Sequence, residues 1–381
     1  MTTISCQFDS GAIEVLSSAD PADIRLRIRQ DNAAEFAQWF HFRLQGAAGV
    51  PVTLRFVNAG QCAYPKGWEG YRVAASHDRR QWERIDTDYD GAVMTARLTP
   101  RSNSVQLAYF EPYSWERHLD LLARVSASEH VVLERLGESL DGRDIDLLRI
   151  TDAASPVPEA GRRQVWLIAR QHPGETMAEW FAEGFLERLL DAADPVARWL
   201  LQRCVFHVVP NMNPDGSVRG NLRTNAAGAN LNREWLEPGM ERSPEVLRVR
   251  NRMERSGVDL FLDVHGDEVL PYVFVVGSDG IDGFTPRLAQ LQDAFKSSWS
   301  ASSPDFQDRV NYGPAHATRA NPALATNWVA QRFDCLAFTI EMPFKDNAEL
   351  PDPRMGWSGA RSKRLGASVL QPVLALVERL R

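Results

Sequence analysis

The feature that most constrains this chain of 381 residues is a change of hydrophobic rhythm less than a third of the way along. From Ile4 to about Phe110, apolar positions tend to recur at every second residue. Ile24, Leu26 and Ile28 alternate with Arg25, Arg27 and Arg29, and two more short apolar-rich runs cover 39–44 and 52–57. Gly, Pro, Asn and Asp fill the gaps, at Gly46 to Pro51, Asn58 to Gly60 and Asp88 to Gly91. Short strands at regular spacing, with turn chemistry between them, predict an all-β sandwich over residues 1–112. The arginines at 25, 27 and 29 are then the solvated face of a half-buried strand, with a ligand surface as the other reading.

After Glu111-Pro112-Tyr113 the rhythm changes. Trp115, Leu119, Leu122 and Val125 mark one helical face, and from there strands alternate with longer helices. An apolar strand is predicted over 165–169. A helix follows over 177–190, with Met177, Trp180, Phe181, Phe185 and Leu189 inward, and more apolar runs come at 205–209, 260–264, 272–276 and 336–340. This alternation predicts an α/β sheet with helices on both faces over residues 113–381. In such sheets ligands sit beyond the carboxyl ends of the strands, so the residues just after each strand carry most weight.

Composition narrows the function classes. With 44% hydrophobic and 24% charged residues the chain reads as globular, and 43 basic against 50 acidic side chains give a net charge of −7. That balance argues against non-specific binding to nucleic acid or anionic lipid. Cys6, Cys62, Cys204 and Cys335 lie far apart with no C-x-x-C pair, which fits a reducing cytosol and leaves any metal site to His and carboxylates. The start, Met1 to Asp9, has neither the basic nor the apolar region of a secretory signal. No apolar run approaches the ~20 residues that span a bilayer. The expectation is a cytoplasmic protein without membrane or nucleic-acid partners.

The strand ends carry the chemistry. After 165–169 comes Arg170-Gln171-His172-Pro173-Gly174-Glu175, and after 260–264 comes His265-Gly266-Asp267-Glu268. One H-x-x-E is a weak signal. Two His and one Glu from two strand-end loops are the ligand set of a catalytic Zn²⁺ with an open fourth position. The last run ends in Glu341-Met342-Pro343-Phe344, and an acid there is costly to bury without a partner or a role. A metal-activated water needs a base, and Glu341 is the candidate. Behind 205–209 lie Asn213-Pro214-Asp215-Gly216, a turn by its own chemistry, then Arg223 and Asn230-Leu231-Asn232-Arg233. Arg223 and Arg233 offer guanidinium forks suited to a carboxylate or a developing oxyanion, though alone they read as surface residues.

Together these residues resemble the zinc carboxypeptidases, in the family's order, over about Trp115 to Arg381. The β-sandwich in front resembles the cytosolic carboxypeptidase branch, whose eukaryotic members trim glutamates from protein tails. The resemblance implies a mixed, twisted β-sheet and one Zn²⁺ per chain held by His172, Glu175 and His265. It implies Glu341 as proton carrier, Arg223 on the scissile carbonyl, and Asn232 and Arg233 on the α-carboxylate of a peptide or protein C-terminal tail. Many relatives have Asp where Asn230 stands. The family's substrate-capping Tyr is met here by Tyr312, somewhat far upstream of a helix expected over 322–333, with His316 closer but chemically different. A preference for acidic C-terminal residues would require a base in the pocket, and Arg309, Arg319 and Arg332 lie in the right stretch of chain. Two rivals stand beside this reading: a zinc N-acyl amino acid deacylase of the same architecture, and a binding sandwich fused to an inactive peptidase domain. Trp39, Trp68 and Trp82 could serve the second rival, or pack the core.

Overall fold

The structure, a computed structural model, describes residues 2–313 and 320–380. His316 and Arg319 therefore lie outside the described residues. The chain opens with two five-stranded sheets. One orders Thr3–Ser5, His41–Gln45, Ser104–Ala108, Ala74–Ser76 and Glu83–Arg84; the other orders Glu14–Ser17, Ile24–Arg27, Val52–Phe56, Met94–Leu98 and Asp86–Tyr89. The period-two pattern is used as expected, with Ile24 and Leu26 fully buried and Arg25 and Arg27 exposed. Those arginines only make loose surface pairs with Asp23 and Glu14. Trp39, Trp68 and Trp82 are all buried, and Trp68 packs edge-on to Tyr71 and Tyr109. Their job is the core.

The second unit is a seven-stranded mixed sheet. Its order is Val131–Glu138, Asp144–Ile150, Cys204–Val209, Arg163–Ala169, Leu260–Asp267, Leu336–Pro343 and Phe274–Val276. The four strands from Cys204–Val209 to Leu336–Pro343 in that order run parallel, and the flanking pairings are antiparallel. Central strands covered on both faces are apolar over most of their length, which is why these four contain the apolar runs seen in the sequence. Helix Met177–Leu189 lies against helix Gly359–Ser368 almost backbone to backbone. A Cβ on Gly184 would come within 2.0 Å of the Lys363 carbonyl oxygen, and one on Gly366 within 2.0 Å of that of Phe181.

Three local expectations need correction. On helix Trp115–Val125 the inward face is His118, Leu121, Leu122 and Val125, whereas Leu119 is exposed. Burial of His118 is possible because Glu179 and Asp146 receive its ring nitrogens. The helix expected over 322–333 starts only at Ala325, since the Asn321 side chain accepts from the Ala323 N–H and holds the preceding residues in a turn. Asn213-Pro214-Asp215-Gly216 is a helix start rather than a free turn. Asn213 caps Pro214–Arg219 by accepting from the Gly216 N–H, Pro214 stands in the first turn, and Asp215 is buried against Ser139 and Arg143.

The two units share one apolar cluster. Tyr109 at the end of the sandwich stacks on Phe344 just beyond the last central strand, with ring centroids 4.3 Å apart. Arg84 is inserted at the same junction, donating to the carbonyls of Phe344 at 2.6 Å and Arg72 at 2.7 Å. Among the described residues no helix is long and apolar enough to cross a membrane.

Candidate metal centre and catalytic cavity

His172 follows the strand Arg163–Ala169, and His265 lies in the strand Leu260–Asp267, its parallel neighbour. Three residues of turn return Glu175 toward His172, and that turn is tight: a Cβ on Gly174 would meet the Leu222 carbonyl oxygen at 2.9 Å. The three side chains converge. His172 Nδ1 is 2.7 Å from Glu175 Oε1, and His265 Nδ1 is 2.8 Å from Glu175 Oε2 and 3.1 Å from His172 Nδ1. All three are buried, and they form the His/Glu cluster able to hold a metal ion.

Each imidazole turns its other nitrogen to an acceptor. His172 Nε2 faces Asn230 Oδ1 at 3.0 Å, and His265 Nε2 faces Asp263 Oδ2 at 2.9 Å. These acceptors fix both rings with Nδ1 turned to the centre. Gln171 completes the frame, donating to Asp263 at 2.7 Å and accepting from the Trp235 indole at 2.8 Å. Burial disfavours charge on Glu175, yet the two imidazoles outweigh it and hold the carboxyl well below its ordinary range. His172 is pushed down to about 3, by burial and then by the Arg223 charge. Burial opposes charge on His265, but the Asp263 and Glu175 carboxylates outweigh it and hold the ring well above its ordinary range, so a bound metal would displace that proton. His172, His265 and the ionised Glu175 together are a two-nitrogen, one-carboxylate donor set that fits Zn²⁺.

Glu341 needs no loop to reach this centre, because it is the register partner of His265 on the adjacent parallel strand. Its Oε1 takes a 3.1 Å hydrogen bond from the Tyr312 hydroxyl, and its Oε2 has no partner among the described residues. Burial, reinforced by the negative charges of Glu175 and Asp267, pushes its carboxyl well above the ordinary range although His265 opposes this. Tyr312 also donates to Asp267 at 2.7 Å, and burial keeps its phenol protonated.

The remaining candidates line the same cavity, of about 760 Å³, with the metal cluster and Glu341. Arg223 comes within 3.9 Å of Glu175 Oε1, and Arg233 is tied to the Asn232 carbonyl at 2.7 Å. Asn232 is held by accepting from the Ala325 N–H at 2.9 Å, with its amide nitrogen 3.4 Å from His265 Nε2. Asn230, where an Asp was anticipated, still does two tasks: besides facing His172 it accepts from the Asn232 N–H at 3.1 Å.

Two of the three arginines offered for the pocket are elsewhere. Arg309 is 76% exposed and pairs with Glu349, and Arg332 is 53% exposed on Glu254. Both sit where long side chains reach water and a surface acid. Among the described residues, the additional cation on the wall is Lys296, which is 15% exposed and 3.1 Å from Asp308. Lys296 lies on a helix, Pro286–Ser302, where sequence offers no motif to single it out. Asp263 was more legible, being an acid inside an apolar strand and two residues from His265, hence on the same face. Tyr64 also lines the cavity and comes from the β-sandwich, which no local pattern reveals.

Comparison with known proteins agrees with this geometry. Residues 4–110 match the cytosolic carboxypeptidase N-terminal domain, and residues 116–355 match zinc carboxypeptidase. A crystal structure of a metallo-carboxypeptidase from Burkholderia cenocepacia is 50% identical, with a TM-score of 0.96 and 100% of both chains covered. The metallo-carboxypeptidase from Pseudomonas aeruginosa, solved in complex with (2-guanidinoethylmercapto)succinic acid, is 50% identical with a TM-score of 0.95 over 100% of both chains. Cytosolic carboxypeptidase 6 of Mus musculus is 26% identical over 72% of this chain, which spans only 55% of the mouse protein. The likeness first read from a few strand-end residues thus extends over both units: this chain is a metallo-carboxypeptidase of the zinc carboxypeptidase family, which acts on peptide C-termini, and it carries the N-terminal domain of the cytosolic branch.

Proposed function

We propose that the enzyme releases single residues from the C-termini of peptides or protein tails in the cytoplasm, using one Zn²⁺ per chain, with the sandwich ending near residue 112. The observation that carries this reading is convergence: the metal cluster, the Glu341 carboxylate and the Arg223 and Arg233 guanidiniums face one cavity. When bound, Zn²⁺ supplies Lewis acidity and makes water a nucleophile at neutral pH. Glu341 would take the proton of the attacking water on Oε2, which has no partner among the described residues, and would hand it to the leaving amine. Arg223 donates to the scissile carbonyl oxygen as negative charge develops there. Asn232 and Arg233 hold the free α-carboxylate, and the Tyr312 hydroxyl closes over the bound terminus. An N-acyl amino acid would meet the same groups, so the deacylase reading is separated by comparing it with a peptide as substrate.

We further propose that Glu or Asp is preferred as the released residue. Lys296 supports this, because its mostly buried ammonium pairs with Asp308 and has further donor capacity that a substrate carboxylate on the wall can take up. A second reading, preference for a basic residue, is favoured by Asp267, Glu268 and Asp279 on the same wall and by the guanidino ligand of the Pseudomonas relative. Competition among peptides ending in Glu, Phe or Arg decides. The acidic reading expects Glu to be released ~10²-fold faster than Phe, and to lose that margin in Lys296→Met. Faster release of Arg or Phe would contradict it.

A further inference from the structure

We infer that Asp31, on the β-sandwich, is a positioning residue for Arg223, so that the N-terminal unit sets the geometry of the oxyanion-binding guanidinium. The inference rests on the role given above to Arg223. The Asp31 carboxylate is buried, only 5% exposed, and reaches across the junction. Its Oδ1 accepts from the Leu222 N–H at 2.6 Å, and its Oδ2 accepts from the N–H groups of Arg223 and Thr224 at 2.8 and 2.9 Å. Oδ2 also receives the Thr224 hydroxyl at 3.0 Å.

Three consecutive backbone N–H groups turned to one carboxylate fix the peptide planes on both sides of Arg223 Cα, as a nest fixes an anion. The direction in which the side chain leaves the loop is fixed with them, and the guanidinium reaches Glu175 Oε1 at 3.9 Å. The sandwich then flanks the guanidinium itself, with Tyr64 and Phe36 rings centred 5.5 and 5.8 Å from Arg223 Cζ. The same loop continues to the metal ligands, since the Leu222 carbonyl accepts from the Gly174 N–H at 2.8 Å. Burial alone drives the Asp31 carboxyl up, and the loop N–H groups oppose it. A buried carboxylate whose described partners are this loop is poorly explained as surface glue.

Its neighbour supplies the control. Asn32 joins the same junction, pairing with Asn221 and donating to the carbonyls of Asn225 and Ala226, and none of these hydrogen bonds goes to Arg223. The experiment measures kcat, KM, zinc content and Tm for Asp31→Asn, Asp31→Ala and Asn32→Ala, with the two Asp31 changes repeated in Arg223→Ala. With Arg223 present, Asp31→Asn should lower kcat on the order of 10²-fold, the scale of a misplaced catalytic group. KM and zinc content should stay close to wild type, because Arg233 and the metal ligands are untouched. In the Arg223→Ala background the same change should lower kcat less than about threefold, the signature of two residues acting as one. Asn32→Ala should lower Tm and keep kcat. Losses that multiply in the double variant, an Asp31→Asn enzyme of normal kcat, or Asp31 variants that do not fold would make Asp31 a structural joint and overturn the inference. Normal kcat in Arg223→Ala alone would instead remove the role of Arg223 itself.

Discussion

At Glu341 two requirements of opposite sign meet in one side chain. An uncompensated buried carboxylate destabilises a fold, yet the proton-carrying role proposed for it needs an oxygen that no neighbour occupies. The site keeps Oε2 without a partner among the described residues, while Tyr312 satisfies Oε1. Glu341→Gln is isosteric and does not touch the metal donors, so zinc content should be unchanged while kcat falls on the order of 10²–10⁴-fold. Metal analysis beside steady-state rates on one preparation checks both halves; turnover near wild type would move the proton to Glu268. Asp263 belongs to the same scale. Because it holds the His265 Nε2 proton at 2.9 Å, Asp263→Asn should weaken zinc binding on the order of 10–100-fold in competition with a chromophoric chelator. An unchanged affinity would leave His265 oriented by Asn232 and Gln171 alone.

At the scale of elements, a joint sensitive to pH is the one that His118 makes. Helix Trp115–Val125 meets the helix Met177–Leu189 and the strand Asp144–Ile150 through its imidazole, 2.6 Å from Glu179 and 3.6 Å from Asp146. Burial opposes the charged ring, but the two carboxylates prevail and raise His118 to about 9 from an ordinary 6.5. A raised histidine contributes its stabilisation fully below pH ~6.5 and loses it as pH climbs through about 9. The amount at stake is on the order of 3 kcal/mol. Urea midpoints should therefore decline from pH 6.5 to 9 in the native protein and flatten in His118→Gln; parallel curves for the two proteins would refute the assignment. This helix also shows what sequence patterns conceal. Period 3.6 located it correctly, but an apolar template chose Leu119 for the inside, because nothing local says that a histidine will meet two buried acids. The apolar central strands, in contrast, were readable from their composition alone, since both of their faces are covered.

At the scale of the whole molecule, the break in rhythm near residue 111 marks a change of architecture and does not mark a separation. Tyr109 and Phe344 stack across it, Arg84 is held by carbonyls of both units, and the sandwich lends Tyr64 to the cavity. The metal donors and Glu341 were legible because strand ends in an α/β sheet gather at one edge. Tyr64 and Lys296 on the cavity wall, and Asp31 on the Leu222–Thr224 backbone, were not, because they take their places through contacts between segments far apart in sequence, which periodicity cannot encode. The central claim is that a zinc centre and a carboxylate anchor work on one peptide terminus. It is tested most directly by following amino acid release from a peptide with a free C-terminus and from its C-terminal amide. Each is measured with as-purified, chelator-stripped and zinc-restored enzyme. Release should be stepwise and from the free acid only, abolished by stripping and recovered with zinc. Equal cleavage of the amide, or internal fragments from either peptide, would contradict it.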